Sequence, residues 1–104
     1  MRFIGTPEPG FYKRRLVKGG PWVTVRFFLD GSVMHVEVDG ATHDASGHPF
    51  DVDEEWPVCW PSTESEYRHL ERLRTWALDH APYHPAARPR ERIDLGSLPP
   101  RTRR

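Results

Sequence analysis

The residues of this sequence that could bind a metal ion or attack a substrate are six histidines and a single cysteine. His80 and His84 are four residues apart, a spacing that places two zinc ligands on one face of a helix. Pro82 lies between them, so we do not expect a continuous helix there. Cys59 has no second cysteine at a ligand spacing, and its tryptophan neighbours indicate a buried, unreactive thiol. The sequence therefore predicts no metal site, no cofactor and no catalytic residue.

Acidic residues dominate the middle of the chain. Residues 30–66 contain ten Asp and Glu residues and no Lys or Arg. Such a run could hold a divalent cation, but it lacks the spacing and the glycine of an EF-hand loop. A strongly charged surface also steers binding partners, and we expect this use here, although the acids could serve solubility alone. The predicted protein-binding acidic face consists of Asp44, Asp51, Asp53, Glu54 and Glu55.

Basic residues are concentrated towards the two ends of the chain. FYKRRLVK, residues 11–18, mixes aromatic and basic side chains, and residues 86–104 contain six arginines. Basic grooves with stacking aromatics bind single-stranded nucleic acid, so an alternative nucleic-acid site is predicted. The acidic middle and the pI of about 7.0 argue against it, and basic strands could instead pair with acidic ones. The members of this basic set are Tyr12, Lys13, Arg14, Arg15 and Lys18.

Several short strands are the first of the elements that must position these residues. Alternating apolar residues predict strands over residues 11–17, 22–29 and 33–38, with a weaker one over 41–43 and a last one within 56–60. Glycine-containing corners separate them, and Trp22 is expected to pack at the Gly19-Gly20-Pro21 corner. Val23, Val25, Phe27 and Leu29 would face the core. A meander of this kind curls and resembles an SH3-like barrel.

One helix follows the strands. Thr63 directly precedes a predicted helix over residues 64–81 and, with Glu66 three residues later, forms a capping-box sequence. Pro82 ends the helical pattern. Apolar residues recur at helical spacing from Tyr67 to Ala81, so one face should pack on the open side of the sheet. The predicted fold class is therefore α+β, a small curled antiparallel sheet with one C-terminal α-helix.

The domain organisation follows from these elements. We expect an irregular lead-in over residues 1–10, a single domain over 11–81 and an extended Pro/Arg-rich tail over 82–104. Ile93, Leu95 and Leu98 could pin part of the tail to the domain. The sequence has no secretory signal and no apolar run long enough for a membrane span, which predicts a cytoplasmic protein.

Several of these segments together resemble small proteins encoded in phages and prophages of Gram-negative bacteria. Thr24 stands where that family has proline. The resemblance implies a phage or prophage origin, and it supplies no catalytic residues. It covers residues 7–99 and is carried by Gly19-Gly20-Pro21-Trp22-Val23, Trp56-Pro57, Thr63-Glu64-Ser65-Glu66-Tyr67 and Ile93-Asp94-Leu95.

Phage accessory proteins of this size commonly bind host machinery. The resemblance and the acidic residues together predict a non-enzymatic protein in the host cytosol that binds a host protein complex. Inhibitors of nucleic-acid-targeting defences, such as anti-CRISPR proteins, are one class with this size and acidity. The alternatives are a small nucleic-acid-binding barrel and, third, an enzyme without a recognisable motif.

Overall fold

The protein has an α+β fold built on a four-stranded antiparallel sheet with the strand order β3-β2-β1-β4. The computed structural model describes residues 5–93. The strands are β1 Gly10–Arg15, β2 Trp22–Asp30, β3 Val33–Val38 and β4 Trp60–Pro61. The helices are α1 Val52–Glu55 and α2 Glu64–His80, with 3-10 turns at Trp56–Val58 and Pro85–Ala87.

Tight glycine turns connect the strands. The β2–β3 hairpin turns at Gly31, whose φ of 66° is open to glycine at little cost. After β3, Asp39 and Gly40 both have positive φ, and the chain then leaves the sheet. These corners confirm the hairpin predicted from the Asp-Gly pair that follows β2.

One face of the sheet carries the main hydrophobic core. The alternation in β2 predicted this face correctly, since Val25 and Phe27 are almost completely buried on it. The rings of Phe27 and Trp56 meet edge to face with 5.3 Å between their centroids. The segment that contains α1 and the first 3-10 turn therefore covers this face. The buried core residues are Val23, Val25, Phe27, Val36, Val38, Trp56 and Cys59.

Helix α2 covers the opposite face. Tyr67 is 3% exposed, and its ring lies 5.0 Å from the ring of Phe11 on β1. The Thr63 hydroxyl caps the helix by accepting a hydrogen bond from the N–H of Glu66 at 3.0 Å, as the capping sequence predicts. The helix ends at His80, one residue before its predicted end. Both faces of the sheet are thus covered, each by a segment that follows β3.

The sheet is open, so the SH3-like barrel expected from the meander does not form. β4 is two residues long and pairs only with β1, through Lys13 opposite Trp60 and Tyr12 opposite Pro61. A two-residue strand that contains proline cannot extend the ladder towards β3 at the other edge.

Three other elements differ from the sequence expectations. Residues 41–43 form isolated bridges instead of a strand. Residues 56–58 form a 3-10 turn because Pro57 occupies its start, where proline is tolerated. Leu29 points to the core side but is 54% exposed, because it lies at the hairpin end of β2.

Residues 82–93 fold back along α2, beyond the domain boundary predicted at residue 81. Nη1 of Arg74 on α2 donates to the carbonyl of Ala86 at 3.2 Å, and Pro89 is buried. The remaining lead-in residues 1–4 and tail residues 94–104, including Leu95 and Leu98, lie outside the described part of the chain.

Candidate binding surface

Two carboxylates of the predicted acidic face hold their own backbone in place. Asp44 accepts hydrogen bonds from the N–H groups of His48 and Ser46, and these bonds hold the pKa of its carboxyl below the usual value. Asp51 caps α1 by accepting from the N–H of Asp53 at 2.8 Å. These two side chains therefore have structural roles in the segment that carries them.

Glu55 is paired with a member of the predicted basic set. Its Oε1 lies 2.6 Å from Nη1 of Arg14, and both side chains are mostly buried, at 12% and 19% exposure. Asp53 and Glu54 are exposed, and within residues 5–93 neither carboxylate has a hydrogen-bond or ion-pair partner. Of the five predicted acidic residues, these two are the ones whose carboxylates a partner could reach without replacing an existing contact.

The alternation of β1 divides the predicted basic set between the two faces of the sheet. Tyr12 and Arg14 lie opposite Val25 and Val23 on the core side, whereas Lys13 and Arg15 point to the α2 side. Lys18 follows in the exposed turn after the strand. The five residues therefore do not line one continuous groove.

Ion pairs between distant segments neutralise much of the charge segregation seen in the sequence. Nζ of Lys13 lies 2.8 Å from Oε2 of Glu66, and Arg14 pairs with Glu55. Arg74 binds both carboxylate oxygens of Asp39 through Nε at 2.9 Å. The sequence did not predict the third pair, because its two residues are 35 apart in the chain.

The Gly19-Gly20-Pro21 corner receives the C-terminal end of the described chain. The N–H of Ile93 donates to the carbonyl of Gly19 at 2.8 Å. A Cβ atom on Gly20 would lie 3.2 Å from the carbonyl oxygen of Glu91 and 2.9 Å from Cγ2 of Val17. The two glycines thus turn the chain. Because they have no side chain, the backbone of a neighbouring segment can also pack directly against them.

Trp22 packs at this corner and is only half-buried. The guanidinium of Arg15 lies over its ring at 3.9 Å from the centroid, and the Lys13 ammonium lies at 4.8 Å. The ring of Trp60 contacts it edge to face at 6.2 Å. The remaining surface of Trp22 faces a cavity, so the residue both packs at the corner and lines an open site.

This cavity is a groove of about 600 Å³ between the corner, helix α2 and the segment after it. Its walls are almost entirely apolar, and Tyr83 on its rim is 66% exposed. We call it the apolar groove. It is lined by Pro21, Trp22, Leu70, Leu73, Tyr83, His84, Pro85, Ala86 and Ile93. No sequence pattern predicts this groove, because its walls come from three separate segments.

Positive charge lies next to the apolar groove. Arg15 contacts Trp22, the Arg92 side chain lies against Gly19, and Lys18 precedes Gly19 in the chain; all three residues are exposed. Across residues 5–93, none of the three forms an ion pair. Three cationic residues therefore lie near the corner end of the apolar groove, although none of them lines it.

The histidines and the cysteine that were weighed as metal ligands or as a nucleophile lie apart from one another in the described residues, and each has its own local contacts. Cys59 is 1% exposed, and burial, with a contribution from Glu55, raises the pKa of its thiol to about 12. His80 lies beside the Trp76 carbonyl, and Nδ1 of His84 accepts from the N–H of Ala86. Within residues 5–93, no group of three His, Cys, Asp or Glu side chains is placed to hold a metal ion.

The fold and the groove define this chain as a small α+β domain with an open apolar groove. No protein family, curated protein or solved structure matches it at a significant level. Over residues 5–93, no helix is long and apolar enough to cross a membrane.

Proposed function

We propose that this protein is a non-enzymatic binding protein that docks on a protein complex through the apolar groove. The observation that carries the proposal is that exposed Tyr83, half-buried Trp22 and neighbouring half-buried aliphatic side chains line one open cavity of about 600 Å³. Aromatic residues in apolar pockets dominate the binding energy of protein interfaces. The groove is thus suited to receive an apolar side chain of a partner.

The charge around the groove favours a particular chemistry for this partner. Arg15, Lys18 and Arg92 are exposed near the corner end of the groove, and the groove itself is lined by no Asp, Glu, Lys or Arg. A partner segment that places a leucine or an aromatic residue in the groove and carboxylates beside it would match both the apolar interior and the nearby cations. We therefore propose an acidic and apolar protein segment as the ligand.

The same geometry favours protein over nucleic acid. Bases bind by stacking on open aromatic faces, and here the ring of Trp22 already carries Arg15 and Lys13. Lys13 and Arg14 are also held in ion pairs with Glu66 and Glu55. A nucleic-acid ligand would have to compete with these contacts.

A host defence complex is the proposed target. The resemblance to phage-encoded proteins supports a function inside an infected bacterium, and small phage proteins without catalytic residues commonly act by blocking host assemblies. In this proposal the protein inhibits a nucleic-acid-targeting defence system by occupying a surface of one of its protein subunits.

The acidic side chains of α1 form a second candidate surface. Asp53 and Glu54 are exposed and carry no structural contact in the described residues, unlike Asp44, Asp51 and Glu55. They lie on the segment that covers the other face of the sheet. A basic patch on the partner would be the expected ligand of this surface.

The test is capture of the partner from a Gram-negative host, followed by binding of the purified components. Tyr83→Ala removes an exposed wall of the groove, and Leu78→Ala removes another exposed apolar side chain, on α2 outside the groove. We expect Tyr83→Ala to weaken the affinity about tenfold or more and Leu78→Ala to leave it unchanged.

Two further variants separate the competing surfaces. Lys18→Glu should weaken binding to an acidic partner, while Arg90→Glu, an exposed arginine outside the groove, should not. The double variant Asp53→Asn, Glu54→Gln should weaken the affinity only if the partner binds the acidic surface. Binding that survives Tyr83→Ala and Lys18→Glu would overturn the groove proposal. Copurifying material that is lost on nuclease treatment, and whose binding falls steeply as the salt concentration rises, would indicate nucleic acid instead.

A further inference from the structure

The apolar groove lies where the described chain ends. Ile93 lines the groove, and its backbone is held at the rim by the hydrogen bond to Gly19 at 2.8 Å. Eleven residues, 94–104, follow it in the sequence. The next apolar side chains are Leu95 and Leu98, two and five residues beyond Ile93. Five extended residues span at most about 17 Å, which is enough to place both leucines within the groove.

We propose that residues 94–98, with the sequence DLGSL, occupy the apolar groove of the free protein and that the binding partner must displace them. The occupancy follows from the position of Ile93 and from the chemistry of the segment. Only the displacement rests on the function proposed above.

The segment has the same chemistry as the partner proposed for the groove. Asp94 follows Ile93 directly in the sequence, so this proposal pairs its carboxylate with the cations near the corner, Lys18 and Arg92, which have no ion-pair partner within residues 5–93. Leu95 and Leu98 supply apolar side chains for an interior lined by Leu70 and Trp22, among others. Gly96 and Ser97 between the leucines are small and would not block their entry.

Attachment to the chain favours this occupant over a second copy of the protein. Because Ile93 is already fixed at the rim, the effective concentration of the segment at the groove is in the millimolar range typical of short linkers. A second molecule would have to bind from solution and would compete with it.

The first experiment detects occupancy without any partner. In the full-length protein, nuclear Overhauser contacts are measured between the methyl groups of Leu95 and Leu98 and the indole of Trp22 or the methyls of Leu70. We expect such contacts within one molecule. Their absence, or contacts that appear only between molecules in a mixture of labelled and unlabelled protein, would overturn the proposal.

A pair of variants checks that the leucines cause these contacts. Leu95→Asp combined with Leu98→Asp should shift the Trp22 indole resonance and remove its contacts to the tail. Leu78→Asp, at an exposed position of α2 outside the groove, should leave that resonance in place. An unchanged Trp22 resonance in the double variant would contradict occupancy.

The second experiment measures displacement with the purified partner. If the segment fills the groove nine-tenths of the time, its removal raises the apparent affinity about tenfold. We expect the Leu95→Asp, Leu98→Asp variant to show this gain. Intramolecular contacts with an unchanged affinity would overturn the displacement. Partner binding that is insensitive to Tyr83→Ala would instead contradict the proposed function, and the contacts of the tail would still decide occupancy.

Discussion

Arg14 and Glu55 form an ion pair with 2.6 Å between Nη1 and Oε1, and each residue belongs to a different binding surface predicted from the sequence. Arg14 lies on β1 and Glu55 ends α1, so the pair joins the sheet to the segment that covers its core face. Because both side chains are mostly buried, the contact stabilises the fold and leaves neither charge for a ligand.

A double-mutant cycle tests this assignment. Arg14→Met and Glu55→Gln should each destabilise the protein, and the pair should show a coupling free energy of about 1–2 kcal/mol in urea unfolding. The control is the exposed pair Arg68–Glu71, with side chains 48% and 51% exposed, for which about 0.3–0.5 kcal/mol is expected. Equal coupling in the two pairs would contradict a structural role for Arg14.

The fold could be predicted from local patterns because those patterns act over a few residues. Val23, Val25 and Phe27 alternate on one face, which identified the core side of β2 from sequence alone. Thr63 identified the start of α2, because the capping contact spans three residues. Strand pairing beyond the hairpin was less predictable: the antiparallel sheet forms as predicted, but it does not close into a barrel.

The candidate site could not be predicted because it depends on contacts between distant segments. Arg14 and Glu55 are 41 residues apart, and Arg74 and Asp39 are 35 apart. Which charges pair is decided by strand register and by the path of the chain after β3. The groove likewise forms only when the tail segment packs against the Gly19-Gly20 corner.

The pair of Lys13 and Glu66 makes stability depend on pH. Hydrogen bonds from Lys13 and then Ser62 lower the pKa of Glu66 from its usual 4.5. A carboxyl whose pKa is lower in the folded state stabilises the fold above its unfolded pKa, and this contribution is lost as the pH falls through the folded pKa. Wild type should therefore lose stability relative to Glu66→Gln as the pH falls below about 4.5.

The measurement is the free energy of unfolding of both proteins from neutral pH down to acid. The control is Glu54→Gln, which removes an exposed carboxylate that has no partner in the described residues. Parallel pH profiles for wild type and Glu66→Gln would show that the Lys13 contact is not formed in solution.

The Cys59 thiol should be protected in the native protein. It is 1% exposed with a pKa raised to about 12, so at pH 8 only about one thiol in ten thousand is ionised even before access is considered. We expect negligible reaction with an aromatic disulfide reagent in native buffer and complete reaction in guanidinium chloride. Native labelling as fast as that of a free cysteine would contradict the burial of this residue.

Gly20→Ala should loosen the C-terminal segment at the groove. The added Cβ would lie 2.9 Å from Cγ2 of Val17 and 3.2 Å from the carbonyl oxygen of Glu91, so the backbone near Glu91 must shift. We expect a destabilisation of about 1–3 kcal/mol, together with faster hydrogen exchange at the Ile93 amide that bonds to Gly19.

Gly47→Ala is the matched control for this substitution. Gly47 has a φ of 84° and no neighbouring atom within 4 Å of an added Cβ, so alanine there costs stability through backbone strain alone. The Ile93 amide should then exchange no faster than the global loss of stability requires. If Gly20→Ala likewise changed the exchange of Ile93 only in proportion to global stability, the corner would not hold the C-terminal segment in place. The groove would then lack the wall on which its proposed occupant depends.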